Sequence, residues 1–277
     1  MRKIRLINSD GSIYDLTRFE SFFHTSKGYG FKDSTEFQKI GDNYYPLEQN
    51  FDQKEITGEI VFSNPNAYAE YRTFSKFIRS TPLTIEYTPD ETFLVPARVE
   101  ELEKGELDEG GNSLSVSVKF ITLAPFYKSV QTRSATITTG GKSYDYSYPY
   151  AYAATRENTV NIDSDTAEES PCKISIYGAC TDPIWKHYVN NELVETGSYS
   201  GTIPEGHRLV IDSTVLPYTI TEVGATGEVI ADRYQFCDFT TERFFFLQRG
   251  SNRISVTHNS TEPLDVIVEG RLEYATV

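Results

Sequence analysis

Apolar side chains occupy every second position of residues 114–120, which predicts a strand with one buried face. Pro125 ends this pattern, because proline brings no N–H to a β-ladder. A well-formed strand that stops at a proline near the midpoint of the chain indicates a domain edge. We therefore expect a first domain over residues 1–130 and a second over residues 131–277. An ordinary loop proline inside one larger domain is the alternative.

Turn signals divide the first half into short strands. Ser9-Asp10-Gly11 predicts a tight turn between strands at residues 2–8 and 12–16. Residues 55–62 predict a further strand, and residues 93–102 and 114–123 predict a hairpin around an acidic, glycine-rich connection. Residues 26–55 are polar with aromatic positions, and the pattern does not define their strand boundaries.

One helix is predicted over residues 65–79. Asn64 can cap it, Pro65 suits the first helical position, and Ser80-Thr81-Pro82 ends it. Aromatic residues recur at steps of three and four, forming a stripe on one face: Tyr68, Tyr71, Phe74 and Phe77. Such a stripe is typical of core packing.

The second half predicts about nine short strands and no helix, with Asn190-Asn191 as a two-residue hairpin turn. This spacing is typical of an antiparallel sandwich. The predicted fold class is mainly β. A barrel-like or sandwich-like domain with one helix comes first, and an antiparallel β-sandwich follows.

The formal net charge of −14 disfavours stable nucleic-acid binding, since phosphate contacts need clustered Lys and Arg. No stretch has the apolar length of a membrane helix, so we expect no membrane insertion. The first residues carry no apolar segment typical of a secretion signal, which predicts synthesis in the cytoplasm.

The sequence predicts no enzyme, with no catalytic residues, no cofactor and no metal site. The four histidines are scattered, and no nucleotide-binding or nucleophile motif is present. The acidic run at residues 100–109 could hold a glycosidase pair, but a solvated hairpin tip explains it better. Three cysteines lack metal-ligand spacing, and we expect them to be buried and unpaired: Cys172, Cys180 and Cys237.

The order of several phrases resembles the distal tail proteins of long-tailed bacteriophages and phage-like particles of Gram-positive hosts. In the first half these are GSIYDL, GYGF, PLTIEY, VPARVEELEKGEL and VKFITLAPFYKS. In the second half they are PCKISIYGACTDPIW and FFFLQRGSNRISV, which resemble the galectin-like domain of that family. The resemblance covers essentially the whole chain. It rests on order and spacing, because each phrase is a packing or turn phrase.

The resemblance implies a structural protein of the virion tail tip. Residues 1–130 would form a ring-shaped baseplate hub, a hexamer, that joins the tail tube protein to the tail-tip or tail-associated lysin protein. Residues 131–277 would form a galectin-like sandwich that in some relatives carries receptor-binding proteins. The alternative function is a saccharide-binding module for host attachment, whose single tryptophan, Trp185, could equally be core.

A ring protein must leave sheet edges or hairpins free for its neighbours. The predicted subunit interface lies on the first strand and on the polar-aromatic stretch from residue 27 to residue 50. The residues of this prediction are Ile4, Leu6, Tyr29, Phe31, Tyr44 and Tyr45.

Overall fold

The computed structural model describes residues 2–30, 33–63, 66–108, 110, 112–138, 156–166, 169–259 and 264–277. They form two compact units, Met1–Lys128 with Tyr274–Val277, and Ser129–Glu273. The four residues Tyr274–Val277 therefore belong to unit 1, although they lie at the other end of the chain. The domain functions expected from the sequence stay predictions.

Unit 1 consists of antiparallel strands and one helix. In chain order the elements are β1 (Lys3–Ile7), β2 (Ile13–Asp15), β3 (Thr17–Arg18), β4 (Ser21–Lys27), β5 (Asp33–Ile40), β6 (Asn43–Phe51), β7 (Glu55–Ser63), α1 (Ala67–Phe77), β8 (Leu83–Thr88), β9 (Phe93–Leu107) and β10 (Ser113–Thr122), followed by β11 (Phe126–Arg133), which begins in this unit. The main sheet has the order β2-β1-β8-β9-β10-β7-β4-β3. Strands β5 and β6 pair only with each other, as a separate sheet.

The apolar side chains of the predicted alternating strand at residues 114–120 face the core, as expected. Leu114, Val116 and Phe120 have at most 1% of their surface exposed. Gly11 has a φ of +76°, which suits the predicted turn between β1 and β2. The strand β9 is longer than predicted and continues to Leu107, so the first part of the expected acidic loop is strand.

The helix differs from its prediction at both ends. It spans Ala67–Phe77 with Asn66 as the N-cap residue, whose side chain makes no capping hydrogen bond. The predicted cap and first residue, Asn64 and Pro65, lie outside the described residues. The aromatic stripe does pack on the core, as expected, since Phe74 is fully buried between Tyr14 and Phe62.

Unit 2 is a β-sandwich of antiparallel strands. Its elements are the end of β11, then β12 (Ala135–Thr138), β13 (Arg156–Ser164), β14 (Ser170–Tyr177), β15 (Cys180–Thr181), β16 (Ile184–Val189), β17 (Glu192–Ser198), β18 (Thr202–Ile203), β19 (Arg208–Asp212), β20 (Thr219–Val223), β21 (Val229–Asp232), a 3-10 turn (Tyr234–Phe236), β22 (Phe246–Leu247), β23 (Gly250–Thr257) and β24 (Asp265–Tyr274). One sheet has the order β21-β20-β19-β14-β24, and the other has the order β12-β13-β23-β16-β17.

Both sheets of unit 2 contribute buried side chains to its core. Trp185 is fully buried on β16, and its indole Nε1 donates a hydrogen bond to the Arg243 carbonyl at 3.2 Å. Gly197 lies opposite this ring, where a Cβ atom would come within 2.3 Å of Nε1. The predicted Asn190-Asn191 turn is confirmed, with φ values of +50° and +72°.

Candidate functional site

The hairpin of β5 and β6 is the candidate functional site, and we call it the arm (Asp33–Phe51). Its two strands turn at Gly41, whose φ is +65°, with Ile40 opposite Asn43. An isolated two-stranded hairpin is marginally stable in water, because it has no third strand or helix to cover a face. The arm therefore needs something to pack against.

The arm also exposes large apolar side chains. Five of them have half or more of their surface exposed: Phe37 (60%), Ile40 (58%), Tyr44 (65%), Tyr45 (50%) and Leu47 (62%). Single exposed apolar residues are ordinary, but a group of this size on one short element is typical of an interaction surface.

The predicted interface residues Ile4 and Leu6 are not on this surface. Their side chains are 1% and 0% exposed and belong to the core of unit 1. The strand β1 pairs with β8 on one side and with β2 on the other, so it is not a sheet edge. The structure therefore places both side chains in the core of unit 1 and away from any free edge, because they lie on the inward face of a strand that is paired on both sides.

Tyr29 packs within unit 1 as well. Its ring stacks on the ring of Tyr87, with 4.2 Å between the centroids, and burial raises the pKa of its hydroxyl. The backbone N–H of Val277 donates to the Tyr29 carbonyl at 3.3 Å. Phe31 lies outside the described residues.

Tyr44 and Tyr45 are the predicted residues that the structure places on the arm. Sequence reasoning missed Phe37, Ile40 and Leu47 on the same element. A signal for them was present, since an apolar residue followed by the turn residues Gly41-Asp42-Asn43 and then by two tyrosines is typical of a hairpin.

A second feature of interest is a groove on one sheet of unit 2, with a volume of about 310 Å³. Val210 lines it together with polar and charged side chains. Tyr177 lies beneath the guanidinium of Arg208, with 5.7 Å between the charged carbon and the ring centroid. Lys173 forms an ion pair with Glu269, its partner on the neighbouring strand, and both residues line the groove.

No group of three His, Cys, Asp or Glu side chains that could hold a metal ion occurs among the described residues. In the same part of the chain, no helix is long and apolar enough to cross a membrane. The three cysteines are buried and free, as predicted: Cys172, Cys180 and Cys237.

The arm and the main sheet of unit 1 lie within a part of the sequence that matches a protein-family model. Residues 3–123 match the distal tail protein, N-terminal domain. The matched stretch runs from β1 to the end of β10 and includes the arm. No curated protein sequence matches the chain.

Solved structures extend the likeness over both units. A chain of the phage P2 baseplate in its activated conformation with Ca has 13% identity and a TM-score of 0.63, covering 97% of this chain and 98% of that one. The SPP1 Dit protein, described as a hub adsorption apparatus in phages that infect Gram-positive hosts, has 11% identity and a TM-score of 0.63, covering 96% and 98%. At this identity the likeness is one of fold, and it confirms the mainly β class predicted from the sequence.

Proposed function

We propose that this chain is a non-enzymatic structural component of a phage tail tip. Copies of it form a ring hub, a hexamer, that joins the tail tube to the tail-tip or tail-associated lysin protein and carries receptor-binding proteins. Unit 2 is the galectin-like domain of this hub. The hub is made in the host cytoplasm and ends in the virion.

The exposed arm is the observation that supports this proposal most directly. A monomeric protein blunts or covers its free strands, because unpaired N–H and C=O groups invite pairing with another chain. Here a two-stranded element with five exposed apolar side chains extends from a domain that matches distal tail proteins. Head-to-tail contacts made by one such element close into a ring when the rotation between copies fits.

Labelling of particles tests the proposal. A small epitope tag on this chain should mark a ring at the distal end of the tail in electron micrographs of isolated particles. Replacing residues 33–51 by a short Gly-Ser turn should abolish this ring while leaving unit 2 folded. Particles that carry the tag elsewhere, or that lack it altogether, would show that the chain is not the hub.

The groove of unit 2 supports a second candidate, a saccharide-binding module for host attachment. Saccharide sites combine an aromatic face with planar polar side chains, and the groove has Tyr177, Arg208 and Glu269. Its volume of about 310 Å³ lies at the lower end for ligand pockets.

Calorimetric titration of the full chain with lactose and with chitobiose tests this candidate. We expect Tyr177→Ala to remove the heat of binding. Tyr188→Ala is the matched control, because Tyr188 also lies beneath an arginine, Arg253, but on the other sheet. No heat with either sugar, or equal loss in both variants, counts against a saccharide site in the groove.

A further inference from the structure

We propose that the His187 imidazole and the Glu195 carboxyl group hold one proton between them inside unit 2. This proton keeps Glu195, rather than its neighbour Val194, on the inward face of the strand β17. The pair has no part in the proposed hub function, and the inference is independent of that function.

The side-chain amide of Asn252 determines which ring nitrogen of His187 carries a proton. Its Oδ1 accepts a hydrogen bond from the Gln248 N–H at 2.9 Å. Its Nδ2 donates to the carbonyls of Gln248, at 2.7 Å, and of Gly250, at 3.1 Å. Turning the amide over would set donor against donor and acceptor against acceptor at all three contacts. His187 Nε2 lies 2.9 Å from the same Oδ1, so Nε2 carries a proton and donates it.

The other ring nitrogen, Nδ1, faces a carboxyl oxygen. His187 Nδ1 and Glu195 Oε2 lie 3.5 Å apart, and both atoms are buried without a hydrogen-bond partner among the residues that the structure describes. An imidazole protonated only on Nε2 has a lone pair on Nδ1, and an ionised carboxylate has only lone pairs. Without a proton, two acceptors would face each other away from water, which is costly. One proton between them removes this conflict.

The elements packed around the pair direct their own polar groups elsewhere. On β23, Ile254 lies opposite the imidazole, and the ring of Phe245 stacks on it with 5.4 Å between the centroids. Cys172 on β14 is the other titratable group, and its thiol donates to the Phe245 carbonyl at 3.3 Å. Burial, and then the charge of Glu195, raise the pKa of this thiol to about 12, so it stays neutral. The proton therefore comes from solvent, and it gives either an ion pair or a neutral pair.

A β-bulge brings Glu195 opposite His187. Between the pair that flanks the hairpin turn and the pair Trp185–Gly197, β17 has one residue more than β16. The Trp185–Gly197 pair resists a shift, because a Cβ atom on residue 197 would come within 2.3 Å of the indole nitrogen. One residue of β17 must therefore be extra, and in this structure it is Val194.

Moving the bulge by one residue would exchange the two neighbours and leave the other pairs in register. Val194 would then face His187, and Glu195 would face solvent. The observed arrangement does the reverse, with 44% of Val194 exposed and only 17% of the Glu195 side chain exposed. Burial alone favours the apolar residue inside, so a specific attraction must hold the carboxyl group there. Since β17 is the last strand of its sheet, the inward charge also discourages pairing with another chain.

Nuclear magnetic resonance of the full chain at pH 7 tests the proton. Long-range proton–nitrogen spectra show which ring nitrogens are protonated, and His187→Gln identifies the His187 signals by their loss. The carboxyl carbon shift of Glu195 reports its ionisation. We expect a doubly protonated ring with ionised Glu195, or a ring protonated on Nε2 with protonated Glu195. A ring protonated on Nδ1 alone, or on Nε2 alone beside ionised Glu195, overturns the proposal.

Thiol labelling tests the bulge position. Val194→Cys should react rapidly with iodoacetamide, while the native cysteines are buried. Adding His187→Leu leaves Glu195 without its partner, so the bulge should move and the labelling should be lost. Adding Glu195→Gln should preserve rapid labelling, because the amide can donate to Nδ1.

Leu193→Cys is the matched control, since Leu193 is exposed beside the bulge, and it should label rapidly with or without His187→Leu. Rapid labelling of residue 194 in the folded His187→Leu protein overturns the proposal, as does slow labelling with Glu195→Gln. If His187→Leu unfolds unit 2, the native cysteines react as well. The Glu195→Gln result and the resonance spectra then decide.

Discussion

The ammonium group of Lys54 donates a hydrogen bond to the carbonyl oxygen of Ala275, although 221 residues separate the two in sequence. Lys54 is 7% exposed, and burial lowers its pKa. The neighbouring Tyr274 packs edge-on against Phe93, with 5.3 Å between the ring centroids. The last residues of the chain therefore complete the core of unit 1.

Removing residues 274–277 should destabilise unit 1 by about 1–3 kcal/mol, because the buried ammonium loses its acceptor. Hydrogen exchange of unit 1 peptides, measured by mass spectrometry on the full chain and on the shortened chain, checks this. Lys54→Met should recover part of the loss in the shortened chain only. Unchanged exchange in unit 1 would show that this segment contributes nothing to its stability.

Phe74→Ala should lower the free energy of unfolding by about 3–5 kcal/mol, because it leaves a cavity between α1 and the sheet. Phe74 is fully buried and contacts the rings of Tyr14 and Phe62. Thr73→Ala is the control at the adjacent exposed position, where we expect a change within about 0.5 kcal/mol. Denaturant unfolding curves measure both, and equal effects would contradict the core role of Phe74.

Unit 2 should lose stability in acid through Glu222. Burial by itself would raise the pKa of this carboxyl group. Hydrogen bonds from His207, at 2.5 Å, and from Arg233 Nε, at 2.8 Å, together with their charge, outweigh burial and hold the pKa below its ordinary value. A carboxyl group with a lowered pKa in the folded state stabilises the fold above its unfolded pKa, and this contribution disappears as the pH falls through the folded pKa.

We therefore expect the melting temperature of unit 2 to fall below about pH 4.3, the ordinary pKa of a glutamate. Glu222→Gln should be less stable at pH 7 and should show a weaker dependence on pH in that acidic range. Thermal unfolding followed at a series of pH values tests this. Parallel curves for the two proteins would show that another group controls the acid transition.

Thiol reagents should not modify the native chain at pH 8. Burial raises the pKa of Cys172 to about 12, and it raises the pKa of Cys180 and of Cys237 to about 11. Only the thiolate reacts, so the folded protein offers almost none of the reactive form. Mass spectrometry after iodoacetamide treatment should show no modification before unfolding and three modified cysteines after it. Rapid labelling of the native protein would mean that one thiol is accessible.

Local patterns predicted much of the fold. Short-range sterics define the local backbone geometry in three places: the alternating strand β10, the turn at Gly11 and the asparagine pair at residues 190–191. The helix was also predicted, but its first and last residues were not, because its N-cap residue is Asn66, whose side chain makes no capping hydrogen bond.

Long-range pairing limited the prediction of the site. Ile4 and Leu6 were assigned to an interface because nothing local shows that β8, about eighty residues later, covers that strand. The return of Tyr274 to unit 1 has no local signal either. The arm was left without boundaries because apolar and polar residues mix on both of its faces, so that no buried face defines a period.

Under the proposed function the chain folds inside a cell and then works outside it, and its buried thiols bear on that change of compartment. A reducing compartment keeps cysteines free, and an oxidising one drives exposed thiols toward disulfides or sulfenic acids. Cys172, Cys180 and Cys237 are buried within unit 2. The covalent structure of unit 2 is therefore the same in a reducing compartment and in an oxidising one. The proposed hub would therefore need no redox-dependent maturation step in unit 2.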